Sequence, residues 1–229
     1  MVRAIEQRLK ISEIFYSLQG EALNSGLPTI FIRLTGCPLR CVYCDTAYAF
    51  SGGQWQGIEQ IMDTISAYHT PYVTVTGGEP LAQKACMHLL TDLCDKGYKV
   101  SLETSGALSM AAVDPRIIKV MDIKTPASGE QGRNLDSSLD SNLACLTSSD
   151  QIKFVICNEA DYEWSKSLLQ TAQLDKRCEV LFSACHSSDP LGGIQLEAKT
   201  LAGWILRDQL PVRFQIQLHK FLWGDVAGV

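Results

Sequence analysis

Ile30-Phe31-Ile32-Arg33-Leu34-Thr35-Gly36-Cys37-Pro38-Leu39-Arg40-Cys41-Val42-Tyr43-Cys44-Asp45-Thr46 joins a strand pattern to a cysteine loop. Residues 30–34 are β-branched, aromatic or aliphatic apart from Arg33, which reads as a buried strand. The loop that follows carries three cysteines spaced Cys-x3-Cys-x2-Cys, close enough to aim three thiolates at one point. A structural zinc site takes four ligands and closes its shell. A cubane iron–sulfur cluster is normally held by four thiolates. Three thiolates leave one iron open, and an open metal position is where chemistry takes place. A zinc loop, or incidental core cysteines, are the bland alternatives for so short a motif. Gly36 and Pro38 suit the tight turn a cluster requires. In a parallel α/β barrel the active-site loops follow the C-terminal ends of strands, as this loop follows 30–34.

Outward from this stretch, strand patterns cover 11–18, 72–76, 99–103, 117–123, 151–156, 179–182 and 213–217. Ile58, Ile61, Met62 and Ile65 recur at helical spacing. Helices are expected over 81–96, with Gly97 as its C-cap, over 161–170 and over 199–209. Ser51 to Gln54 reads as a turn, and Leu135, Leu139, Leu143 and Leu146 are spaced for a short amphipathic helix. Strands alternating with helices imply a parallel sheet with right-handed crossovers. About six core strands are fewer than the eight of a closed barrel, which typically needs about 250 residues. The expectation is α/β: an incomplete TIM-like barrel with about six parallel strands, in one domain spanning 1–229.

The chain has 229 residues, 46% of them hydrophobic, which fits an ordinary globular protein. A net charge of −5 provides no global basic field for nucleic acid. The first ten residues carry charges every few positions and no apolar core of a signal peptide. No apolar run approaches membrane-spanning length. Nine cysteines without a secretory signal point to a reducing, cytoplasmic setting, and an odd number cannot all pair. Cys86, Cys94, Cys145, Cys157, Cys178 and Cys185 read as buried or half-buried hydrophobes, since none offers the tight spacing of a second cluster.

The cysteine motif, with Tyr43 just before its last cysteine, resembles the signature of radical S-adenosylmethionine (SAM) enzymes. Gln19-Gly20-Glu21, Cys44-Asp45-Thr46, Thr76-Gly77-Gly78-Glu79-Pro80 and His219-Lys220-Phe221-Leu222-Trp223-Gly224 narrow the resemblance to the 7-carboxy-7-deazaguanine synthase family. It runs from about residue 11 to the C-terminus and is weakest over 126–149. It implies a 4Fe-4S cluster on Cys37, Cys41 and Cys44, with the amino and carboxylate groups of SAM on the open iron. One electron then cleaves the sulfonium to a 5′-deoxyadenosyl radical, which removes hydrogen from a carboxylated tetrahydropterin. The implied reaction converts 6-carboxy-5,6,7,8-tetrahydropterin to 7-carboxy-7-deazaguanine with loss of ammonia, toward queuosine. The resemblance further implies a magnesium ion, an electron donor such as flavodoxin, and a homodimer.

Residue roles carry over by position. Gly78, beside Gly77 after a strand, lets backbone approach a ligand and is matched to the SAM amino group. The strand ends carrying Glu103 and Ser105, Asp122 and Lys124, and Ser183 are expected to line the SAM pocket with Tyr43. A carboxylate or hydroxyl suits ribose, and Lys124 suits the SAM carboxylate. The family often has Ser-Pro-Lys where this chain has Asp122-Ile123-Lys124. Thr46 is implied as a magnesium ligand, magnesium being a hard cation that takes oxygen donors; by residue type alone it is a turn residue. Leu18, Gln19, Gly20, Glu21 and Thr76 are implied to contact the pterin. Arg33 is implied to bind its carboxylate, which the planar guanidinium fork matches. A lone charge inside an apolar strand is costly without a partner, so Arg33 should have one. Ala22 stands where the family often has glycine. His219 and Lys220 lie in a tail that folds back over substrate in the family. A glycyl-radical-enzyme activase, and a closed non-catalytic iron–sulfur or zinc module, are the alternatives.

Overall fold

A computed structural model describes residues 7–133, 139–186, 195–224 and 226–229. The chain runs through β1 (Arg8–Leu18), β2 (Pro28–Leu34), β3 (Gln54–Gly57), α1 (Ile58–Ile65), β4 (Tyr72–Gly77) and α2 (Cys86–Asp95). It continues through β5 (Lys99–Thr104), β6 (Ile118–Asp122), α3 (Leu139–Ala144), β7 (Gln151–Ile156) and α4 (Glu159–Thr171). The last elements are β8 (Glu179–Ala184), α5 (Ala198–Arg207), β9 (Arg213–Gln215) and α6 (Leu218–Trp223). Among the described residues, the nine strands form one sheet in the order β3-β1-β2-β4-β5-β6-β7-β8-β9. From β2 to β9 every neighbouring pair is parallel, while β1 is antiparallel to both β2 and β3. The edge strands β3 and β9 do not pair, so the barrel is incomplete, as expected.

The parallel run has seven strands rather than about six, because β9 pairs through only three residues. The stretch expected to turn at 51–54 leads into β3, whose Gln-Trp-Gln-Gly lacks strand alternation. Its place comes from backbone pairing with Arg8–Ile11, which also extends β1 upstream of residue 11. The helix expected over 81–96 begins at Cys86, because Pro80–Ala82 forms a 3-10 turn capped by Glu79. Leu139 and Leu143 lie on α3, and Leu135 lies outside the described residues.

The period of two in the strands builds both faces of the sheet. Ile30, Ile32 and Leu34 are fully buried in the layer shared with helices α1 and α2. Val73, Val75 and Leu102 continue that layer in register on the neighbouring strands. The alternate residues, Phe31 and Arg33 on β2, Asp122 on β6, and Lys153 and Val155 on β7, face the concave side and line one cavity. Arg33 is thus out of phase with the apolar layer rather than an interruption of it. Cys86, Cys157, Cys178 and Cys185 are buried, Cys94 and Cys145 half-buried, and none is in a disulfide. No helix among the described residues is long and apolar enough to cross a membrane.

Candidate active site

The concave cavity measures about 470 Å³, within the range of small-molecule sites. Its upper wall is the loop between β2 and the 3-10 turn Ala47–Phe50, with Cys37, Cys41 and Cys44 all facing the space. Gly36 adopts φ +99, a left-handed conformation that suits glycine. The loop is fixed from both sides. Gly36 N donates to Ala49 O at 2.8 Å, and Glu79 N donates to Gly36 O at 2.8 Å. Arg40 N donates to Glu130 Oε1 at 2.6 Å, and Val42 N to Ser128 O at 3.0 Å. The segment after β6, weakest in the family resemblance, therefore buttresses the cysteine loop.

Burial pushes all three thiols above their usual range, Cys41 to about 11, with Lys124 opposing the rise. Metal binding displaces thiol protons, so a cation bound here would compete with protons for these groups. Among the described residues no three Cys, His, Asp or Glu side chains converge round a single ion. A cubane does not ask for such convergence, because each thiolate takes a different iron. Facing the loop, Gly77 and Gly78 form a cradle. A Cβ on Gly78 would lie 2.2 Å from Gly36 O and 2.8 Å from Cys37 Cβ. The soft donor set and the glycine-lined approach fit an iron–sulfur cluster with a ligand beside it.

Glu79 is fully buried and joins the ends of β4 and β5. Its carboxylate accepts from Leu81 N (3.1 Å), Thr104 Oγ1 (2.9 Å), Ser105 N (2.8 Å) and Ser105 Oγ (2.5 Å). The Ser105 hydroxyl expected to face SAM is therefore engaged by Glu79. Ser183 is 2% exposed and does not line the cavity; Cys185 and His186 at the end of β8 do. Lys124 and Asp122 pair at 3.0 Å, and Lys124 Nζ lies 5.8 Å from the Tyr43 ring centroid. All three residues line the cavity below the cysteines.

The opposite side gathers the residues matched to substrate. Gln19 is 4% exposed, and its Nε2 donates to Thr74 Oγ1 at 3.0 Å and to Glu103 Oε1 at 3.4 Å. Thr76 Oγ1 donates to Glu103 Oε2 at 2.8 Å. Glu103, expected on the SAM side, is thus grouped with Gln19 and Thr76. Burial, then the nearby Glu21 carboxylate, raise the Glu103 carboxyl above its usual range. Arg33 Nε donates to Glu13 Oε1 at 2.6 Å, and the Tyr48 hydroxyl donates to the same oxygen at 2.7 Å. The Arg33 guanidinium lies 5.7 Å from the Phe15 ring centroid and 5.9 Å from that of Tyr48. Glu13 is the partner Arg33 needs. It was hidden in sequence because its spacing inside an apolar strand has no motif.

The C-terminal tail closes the rim. Leu218 N donates to Gly20 O at 2.9 Å, and Gln217 Nε2 donates to Glu21 Oε1 at 2.8 Å. A Cβ on Gly20 would lie 2.1 Å from His219 Nδ1, so only glycine permits this approach. Lys220 Nζ sits 3.3 Å from Asp45 Oδ2 and holds that carboxyl well below its usual range against burial. Leu18 and Val229 also line the cavity. Ala22 adopts φ +61, a conformation that costs a non-glycine residue about 1–2 kcal/mol.

Residues 31–122 match the Radical SAM superfamily. The chain is 44% identical over 227 residues to the 7-carboxy-7-deazaguanine synthase of Chlorobaculum tepidum, covering 98% of this chain and 99% of that protein. It belongs to the 7-carboxy-7-deazaguanine synthase family. A second synthase, from Koribacter versatilis, is 40% identical over 230 residues, 96% of this chain and 100% of that protein. The crystal structure of QueE from Escherichia coli shares the fold with a TM-score of 0.73 at 24% identity, covering 94% and 96% of the two chains. The Radical SAM superfamily carries a 4Fe-4S cluster and SAM, and the matched residues include the three-cysteine loop.

Proposed function

We infer that the chain is a radical SAM lyase that converts 6-carboxy-5,6,7,8-tetrahydropterin to 7-carboxy-7-deazaguanine with loss of ammonia. The observation that carries this reading is one cavity lined both by Cys37, Cys41 and Cys44 and by Glu21 and Arg33. When bound, the cluster and SAM supply a hydrogen-abstracting radical; the protein's part is to hold the reactants and exclude water. Cys37, Cys41 and Cys44 hold the cluster. Gly78 presents backbone to SAM, while Lys124 and Asp122 offer charges beneath it. Glu21 accepts from the pterin N–H edge, with Thr76, Glu103 and the backbone of Leu18-Gln19-Gly20 beside it. Arg33 turns its terminal nitrogens to the substrate carboxylate while Glu13 holds Nε. A flavodoxin-type one-electron donor, a homodimer and a cytoplasmic setting complete the reading. Anaerobic reconstitution followed by SAM, reductant and the carboxy-tetrahydropterin tests it: 7-carboxy-7-deazaguanine and ammonia are expected, and turnover of SAM without that product would refute it.

Magnesium on Thr46 belongs to the same proposal. Thr46 Oγ1 donates to Asp45 Oδ1 at 2.7 Å and makes no cap bond to the 3-10 turn it precedes. The turn is closed by backbone, Ala49 N to Thr46 O at 2.9 Å. The hydroxyl oxygen therefore keeps acceptor capacity toward the cavity that it lines. Turnover is expected to depend on magnesium while cluster assembly does not. Thr46→Ala should lower turnover with the cluster intact, and Thr46→Ser should retain more activity. Unchanged product formation after magnesium chelation would exclude this role.

Arg33→Lys keeps the charge but cannot donate to Glu13 and to a carboxylate in one planar fork. Losing a charge-assisted bond typically costs about 1.5–3 kcal/mol, so substrate affinity should fall roughly ten- to a hundredfold. Calorimetry with carboxylated and decarboxylated pterins checks this. Equal affinity of the two for the wild-type protein would show that Arg33 does not read a carboxylate.

A further inference from the structure

Lys153 has no motif around it in the sequence, yet it lines the cavity. It lies on β7 directly beside Asp122 in the parallel register with β6. Its side chain is 13% exposed. Nζ lies 2.5 Å from Glu21 Oε2 and 3.4 Å from Asp122 Oδ2. Glu21 belongs to the loop matched to the pterin, and Asp122 to the strand end matched to SAM. One ammonium thus touches both halves of the site. Glu21 Oε1 is bound by Gln217 from the tail, and Asp122 is shared with Lys124. The Asp122 Oδ1 atom is buried without a hydrogen-bond partner.

An ammonium in this position has to offset a desolvation penalty, which a single surface lysine does not incur. Two carboxylates within reach provide that offset, and the geometry spends its protons on them rather than on solvent. We propose that Lys153 is a positioning residue that holds Glu21 aimed for the pterin edge while fixing Asp122 in the half of the site matched to SAM. The proposal deepens the functional reading above and rests on it for the pterin half only.

The charges around Glu21 set the sign of its pH dependence. Lys153 faces it from β7, Glu103 from β5 and His219 from the tail, and Asp122 and Lys124 surround Lys153 itself. Burial opposes ionisation of Glu21, but the Lys153 charge and hydrogen bond overcome it and hold the carboxyl below its usual range. Burial likewise opposes the Lys153 charge, and Glu21 and Asp122 hold it on. Removing the ammonium therefore raises the Glu21 carboxyl. A pterin that needs ionised Glu21 then binds only at higher pH, so the acidic limb of its affinity moves upward.

The test uses cluster-loaded protein with the redox-stable 6-carboxypterin as probe, in wild type, Lys153→Met and Lys153→Arg. Calorimetry across pH reads pterin affinity, and SAM affinity is measured separately without pterin. Lys153→Met is expected to weaken pterin binding roughly ten- to a hundredfold at neutral pH, the scale of a lost charge-assisted bond. It should recover affinity as pH rises, and should also weaken SAM binding. Lys153→Arg should restore the wild-type acidic limb, because it restores the charge. An acidic limb and SAM affinity unchanged in Lys153→Met overturn the proposal. So does an equal loss in both variants with no movement of the limb, which is the mark of packing alone. Should wild type bind SAM but no pterin at any pH, the substrate reading fails. The SAM arm then decides Lys153: weakened binding in Lys153→Met upholds it and unchanged binding overturns it.

Discussion

Cys41→Ala protein is expected to lose the visible absorbance of the reconstituted cluster and all SAM cleavage. A cubane held by three thiolates has no reserve, since the open iron is already committed to the cofactor. Six other cysteines exist in the chain, but four are buried and none lies in the loop to replace Cys41. Cys185 lines the same cavity, yet it sits at the end of β8 beside His186 and Lys220, on a different wall. Iron content and absorbance after anaerobic reconstitution measure the loss. Cys145→Ala, at a half-buried position directly after α3 that does not line the cavity, should leave both unchanged. SAM cleavage at the wild-type rate in Cys41→Ala would remove the basis of the cluster assignment.

Gly78→Ala is the second large effect, and its cause is steric rather than chemical. The added methyl would stand 2.2 Å from Gly36 O and 2.8 Å from Cys37 Cβ. Neither neighbour is the free end of a flexible chain. Relieving the clash means parting β4 from the cysteine loop and breaking the Glu79 N to Gly36 O bond. Overpacking of this kind costs about 1–3 kcal/mol, so SAM affinity should fall by up to roughly a hundredfold. Equilibrium binding of SAM to reconstituted protein reads it directly. Gly203→Ala is the control, because a Cβ there meets nothing within 4 Å and α5 gains a better helix former. SAM affinity in Gly78→Ala matching that of Gly203→Ala would show that the loop yields freely and that Gly78 does not set the approach.

Both effects concern residues whose meaning was readable before any fold was known. The three cysteines, the glycine pair and the alternation of strands with helices are local patterns, and local patterns survive in one dimension. They were enough for the family and the incomplete barrel, and they singled out the cysteine loop as the candidate cluster site. Period-two alternation also decides which strand residues face the cavity, though it does not say which face is which. Strand β3 was missed because its pairing with β1 is a backbone interaction that Gln-Trp-Gln-Gly does not advertise.

The partners of the charged residues lay beyond the sequence. Glu13 against Arg33 are 20 residues apart, and Lys153 against Glu21 are 132 apart. Ser105 turned to Glu79, and Glu103 turned to Gln19 and Thr76, because neighbouring strand ends bring those groups within hydrogen-bond reach. Sequence spacing carries no record of such meetings. An ion pair or a buried hydrogen bond is a matter of distance and desolvation, and both are set only when the parallel strands stand side by side. The sequence alone determined which chemistry the loop can host; the tertiary structure decided which charges hold that chemistry in place.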